Sequence, residues 1–126
     1  MTGLVIEVEN RSGLPMDTEA VRGVARDVLE AQRITSGDLG IAFVDPDEIR
    51  ELKREHLGID EATDVLSFPI DGTEPLEGGL PRQLGDVVVC PQVVGDEWRR
   101  PLVHGLLHLL GYDHGDQMSE LEDELT

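Results

Sequence analysis

The stretch Pro101-Leu-Val-His-Gly-Leu-Leu-His-Leu-Leu-Gly111 constrains this chain most. Leu102, Val103, Leu106, Leu107, Leu109 and Leu110 place apolar side chains almost all round a helix, and such a helix has to be buried. Pro101 suits a helix opening and Gly111 a helix stop. A chain of 126 residues has room for one core around it, so one domain over 1–126 is expected, with no disulfide framework needed.

The other elements read in order. Leu4–Val8 is short, β-branched and partly alternating, which predicts a strand. Asp17 is placed as an N-cap, and Val21, Val24, Ala25, Val28 and Leu29 fall at helical spacing, so residues 18–33 should form an amphipathic helix. Ile41–Val44 predicts a second strand. Asp45-Pro46-Asp47-Glu48 is a helix start, and Ile49, Leu52, His56 and Leu57 would share one face of that second helix. Asp64–Phe68, ended by Pro69, and Asp86–Cys90 predict two more strands, separated by a Gly- and Pro-rich loop from Asp71 to Arg82. Residues 116–126 hold five acidic residues and no basic one, with Met118, Leu121 and Leu125 at helical spacing; this predicts a closing helix with a solvated acidic face. The order implies an α+β fold: a single mixed β-sheet of about four strands with helices packed on it, and a buried helix near the C-terminus, the one whose histidines are read below as metal-binding.

The net charge of −17, from 27 acidic and 10 basic residues, argues against broad non-specific binding to nucleic acid. Cys90 is the single cysteine, which excludes an internal disulfide and fits a reducing cytosol. No apolar run reaches the roughly 20 residues of a membrane span, and the opening residues carry no signal-peptide pattern. A cytoplasmic protein without a membrane partner is expected.

Three of the four histidines fall at 104, 108 and 114. His104 and His108 are four apart, so a helix presents both imidazoles from one face. Gly111 lets the chain turn, and His114 can then swing back as a third ligand. Three neutral imidazoles suit one Zn²⁺ per chain, and a fourth position left for water marks a catalytic site; bound water there has a pKa of about 7. Three core histidines would instead each need a buried hydrogen-bond partner. The spacing matches the zinc-peptidase pattern H-E-x-x-H-x-x-G-x-x-H except at Gly105, where the Glu base is absent, so a peptidase of the usual kind is not expected.

The run His104-Gly-Leu-Leu-His108-Leu-Leu-Gly-Tyr-Asp-His114 resembles the signature of the YbeY family, bacterial endoribonucleases and ribosomal RNA maturation factors. Thr63-Asp-Val-Leu-Ser-Phe-Pro69 and Leu84-Gly-Asp-Val-Val88 are similar to two further blocks of that family, in the same order, and the likeness covers roughly residues 40–126. The resemblance implies an α+β fold, His104, His108 and His114 as zinc ligands, and a cytoplasmic, single-strand-specific endoribonuclease acting in ribosomal RNA processing, above all in late maturation of the small-subunit 16S RNA. Its implied partners are ribosomal RNA and the assembling small ribosomal subunit. There are two departures. The family often places Arg shortly before the Thr-Asp-Val block, where this chain has Leu57, and its segment between the Gly-Asp block and the first metal His is usually longer, so a helix beside the site is expected to be short.

Three further residues are candidates for catalysis. Arg54, one turn before Leu57, is expected either to fill the place of the missing arginine or to pair with Glu51 and Glu55 on the surface. Asp113 is a candidate to orient a ligand or a bound water, and Ser67 to face the metal from the third strand; a turn role and a backbone hydrogen bond are the plainer readings. Asp64 shares the reading of Ser67, and Asp86 is expected to fix a turn or strand start. Cys90 reads as core and His56 as a surface or packing residue. Arg50, Lys53 and Arg54, with Arg99 and Arg100, form either a solvated face or a local phosphate-binding patch. Two other functions stay open: a non-catalytic zinc protein that binds the assembling ribosome, where the acidic surface suits a basic ribosomal protein, and a metallopeptidase-like hydrolase lacking the Glu base.

Overall fold

A computed structural model describes residues 3–71, 82–95, 97–112 and 116–125, the last stretch with side chains from 120 onward. Among these residues four strands form one mixed sheet: β1 (Leu4–Asn10), β2 (Gly37–Phe43), β3 (Val65–Pro69) and β4 (Gln83–Val89), in the spatial order β1-β2-β4-β3. β1 runs parallel to β2 and β2 parallel to β4, whereas β3 lies antiparallel to β4 at the edge. Among the described residues five helices accompany it: α1 (Thr18–Ala31), α2 (Pro46–Leu57), α3 (Pro91–Val94), α4 (Arg99–Leu109) and α5 (Asp116–Leu125). The α+β architecture expected from the element order is therefore the observed one. No described helix is long and apolar enough to cross a membrane.

Local chemistry explains the helix ends. The Asp17 carboxylate accepts a hydrogen bond from the Ala20 amide at 3.1 Å, and that of Asp45 from the Glu48 amide at 2.8 Å. Each satisfies one of the amides that a first turn leaves without a partner. α2 stops where Gly58 adopts a left-handed conformation and returns its amide to the Arg54 carbonyl. α1 ends at Ala31, two residues short of the expected limit, and Arg33 then takes a positive φ of 62°.

Both central strands begin earlier than their β-branched runs suggest. β2 starts at Gly37, because pairing with β1 on one side and β4 on the other carries Gly37-Asp38-Leu39-Gly40 into the sheet despite weak propensity. β4 starts at Gln83, so Asp86 does not open a strand as expected but sits exposed within one. Cys90 leaves the strand and caps α3, a helix of four residues, which is the short helix expected before the histidines. Pro69 ends β3 from within it, as an edge strand tolerates. Gly85 has φ 138°, and a Cβ there would meet the Phe68 carbonyl, Leu109 Cδ1 at 2.8 Å and Pro69 Cα at 3.0 Å. The pairing between β2 and β4 shifts register at this point, and only glycine fits.

α1 and α4 cover one sheet face. Val28, Leu29, Leu102, Leu106 and Leu107 are wholly or almost wholly buried there against Ile41, Phe43, Val87 and Val89. Each such Leu contributes roughly 2–3 kcal/mol of transfer free energy. α2 covers the other face only beside β3 and β4, where Val44, Ile49, Leu66, Val88 and Cys90 form a smaller cluster. Ile49 is the one buried residue of α2, Leu52 is half-buried, and His56 and Leu57 are exposed. The shared apolar face expected for that helix is thus seated only at its first turns.

Candidate metal centre and cleft

α4 is held against β3 and β4 by close approach at Gly105. A Cβ at this position would come within 2.7 Å of Val65 Cγ2, 2.8 Å of Val87 Cγ1 and 3.3 Å of Ser67 Oγ. The Ser67 hydroxyl donates to the Gly105 carbonyl at 2.6 Å, so Ser67 ties the helix to the edge strand through backbone. Where zinc peptidases carry their Glu, this chain points the helix into its own sheet.

Anchored in this way, α4 turns both described histidines toward one cleft. Their ring centroids lie 4.7 Å apart, edge to face, as expected of residues one helical turn apart. The cleft, of about 480 Å³, is walled on its other side by Thr63, Asp64, Ser67 and Leu57. Asp64 is pinned at both ends: its side chain accepts from the Val65 amide at 2.8 Å, and its carbonyl from the Cys90 amide at 2.9 Å. Asp113 and His114 lie outside the described residues, and no group of three or more potential metal ligands comes together among the described ones.

The chain's spacing gave no sign of Glu122. This carboxylate, on α5, is only 8% exposed, and its Oε1 contacts His104 Nδ1. Its second oxygen lies 3.6 Å from Arg100 Nη2, which also donates to Asp123 at 2.7 Å. That Asp123 hydrogen bond raises the Arg100 pKa. The acidic side of α5 expected to be solvated therefore has one member turned inward. Eighteen positions of sequence separate Glu122 from its histidine, and nothing in the run Glu120–Glu124 marks which acid is buried.

The basic residues of α2 are engaged with acids. Arg50 donates to Asp60 at 2.6 Å, Lys53 to Glu61 at 3.0 Å, and Arg54 to Glu51. These contacts raise the pKa of Arg50 and Arg54 and lower that of Asp60. Arg54 is exposed and adopts the surface pairing, whereas Leu57 reaches the cleft wall. Arg99 lies over the Trp98 ring at 5.7 Å. His56 packs on Phe68 at 4.8 Å, and Cys90 is fully buried, its thiol pKa pushed up by burial.

Fold and site together define a small α+β protein in which a histidine pair on a buried helix faces an edge strand. A family model, Endoribonuclease YbeY, matches residues 6–125. The chain belongs to the YbeY family. It is 39% identical to the Endoribonuclease YbeY of Salinispora tropica, over 93% of this chain and 87% of that one. The protein of the same name from Halorhodospira halophila is 42% identical, over 86% of this chain and 78% of its own. A solution structure from Thermotoga maritima, 26% identical, superposes with a TM-score of 0.60 and covers 96% of this chain and 86% of that one.

Proposed function

We propose that this protein is a zinc-dependent endoribonuclease that cuts single-stranded RNA during ribosomal RNA processing, including late maturation of the 16S RNA. Family membership supports RNA cleavage, since the relatives carry the name endoribonuclease. The observation that carries the metal reading is the pair His104 and His108, presented from one helix face into a cleft. The donor set fits zinc: two imidazoles at i and i+4, with the Glu122 carboxylate on His104 Nδ1, so that Nε2 would be the ligand atom. His104, His108 and His114 would hold one ion. When bound, zinc supplies Lewis acidity toward a phosphoryl oxygen.

The chain's own residues set the rest. Ser67 fixes the height of α4 above β3, and so where the imidazoles stand. Thr63 and the pinned Asp64 shape the opposite wall. Asp113 is assigned to orienting His114 or the attacking group. Arg54 can serve the scissile phosphate only by leaving Glu51, so its contribution is conditional on RNA displacing that pair. With Arg50, Lys53 and Arg100 also paired to acids, phosphate contacts are few, and RNA binding is weak with a shallow salt dependence.

Leu57 in the cleft wall favours a second reading, a zinc protein that binds the assembling small subunit or a basic ribosomal protein without cutting RNA. Purified protein on ribosomal RNA fragments, with and without chelator, separates the two. The nuclease reading expects chelator-sensitive cleavage, about one zinc per chain and loss of most of that zinc in His108→Ala. Intact RNA with bound zinc supports the second reading, and equal metal in wild type and His108→Ala overturns the ligand set.

A further inference from the structure

We infer that Glu122 is a positioning residue that fixes the tautomer and ring orientation of His104. The inference rests on the zinc reading only for its purpose; the contact itself stands without it.

Burial makes the case. A carboxylate that is 8% exposed has lost most of its water and needs partners in its place. Among the described residues, one oxygen of Glu122 meets His104 Nδ1 and the other lies 3.6 Å from Arg100. A well-packed apolar residue of similar volume would serve stability at least as well as a buried ionic contact. A plain tether between α4 and α5 is also not the reason, because Arg100 already joins the two helices through Asp123 at 2.7 Å. Leu121 and Leu125 further pack α5 on the main core. What remains specific to Glu122 is the atom it touches. An acceptor at Nδ1 places the ring proton there and gives Nε2 the lone pair, whereas a neutral imidazole in water prefers the opposite tautomer. The same contact sets the ring's rotation about χ2. α5, which contributes no expected ligand, thereby holds the first ligand of α4 in register for a metal.

The test compares wild type with Glu122→Leu and Glu122→Gln. ¹⁵N chemical shifts of His104 in metal-free protein, at alkaline pH where the ring is neutral, read the tautomer. Zinc affinity is read against a competing chelator. The expected result is Nδ1–H in wild type, Nδ1–H retained in Glu122→Gln because the amide oxygen still accepts, and a shift toward Nε2–H in Glu122→Leu. Zinc affinity should fall about 10–100-fold in Glu122→Leu and only a few-fold in Glu122→Gln. Nε2–H in wild type overturns the inference, as does an unchanged tautomer in a folded Glu122→Leu. If Glu122→Leu does not fold, the wild-type and Glu122→Gln tautomers still decide. A wild type that binds no zinc defeats the metal reading instead, and leaves the tautomer result to judge Glu122.

Discussion

The two faces of the sheet are built on different terms. On the face of α1 and α4, helix and strand side chains close completely, down to a glycine where the backbone needs the space. On the face of α2, only the part beside β3 and β4 is covered. Val5 and Ile70 stay exposed, and an open groove of about 930 Å³ is bordered by Glu7, Glu9, Arg11 and Asp86. The candidate metal ligands grow from the closed face. A side chain that must hold a ligand within tenths of an ångström needs neighbours that cannot move, and dense packing supplies them. The open face carries charge and a half-seated helix, where small displacements cost little.

Paired truncations should expose this difference first. Leu106→Ala, fully buried under α4, is expected to lose about 2–5 kcal/mol in denaturant unfolding. Leu52→Ala, half-buried under α2, should lose well under half of that. Equal losses would mean that the faces are equally tight. Gly105→Ala sharpens the comparison. Helix propensity alone would make it stabilising by about 1 kcal/mol. Contact with Val65 and Val87 should reverse the sign and cost about 1–3 kcal/mol. A raised melting temperature in this variant would show that β3 yields to α4. The smallest effect belongs to the exposed pair between Arg50 of α2 and Asp60 of the loop that follows it. Arg50 holds the Asp60 carboxyl below its usual range, so whatever the pair adds is present above the unfolded-state pKa and is lost as pH falls through the lower folded value. Arg50→Ala should therefore leave the melting temperature near wild type at neutral pH and moderate salt, with any difference fading below about pH 4. A growing difference in acid would contradict this sign.

Much of the closed face could be read from the residues. The periodicity of Val21, Ala25, Val28 and Leu29 located α1, and the all-round apolar run 102–110 required burial. The Asp45-Pro46 start placed α2 to the residue. Strand beginnings were less legible, because Gly37–Gly40 and Gln83–Gly85 owe their strand conformation to neighbours far away in sequence. At the site, local spacing was enough to bring His104 and His108 together. It left Ser67 between a metal-facing and a backbone-bonded reading, of which the second holds, and it gave no sign of Glu122, whose burial depends on how α5 packs. The basic stripe on α2 was legible as a stripe, but its acidic partners at Asp60 and Glu61 come from the loop beyond the helix.

The placement of β4 has a consequence for how the molecule assembles in time. β1, α1 and β2 make a local unit that can close early. Among the described residues β3 has one strand neighbour, β4, which enters later in the chain and lies between β2 and β3. Until β4 is seated, β3 has no ladder to join, and α4 lacks the surface on which Gly105 and Ser67 fix it. The cleft is therefore a product of the most non-local step, after the loop-closure entropy of the intervening chain has been met. A half-folded chain carries the histidine pair on its helix but lacks the opposite wall of Thr63, Asp64 and Ser67, so the cleft exists only in molecules whose central strand is already in place.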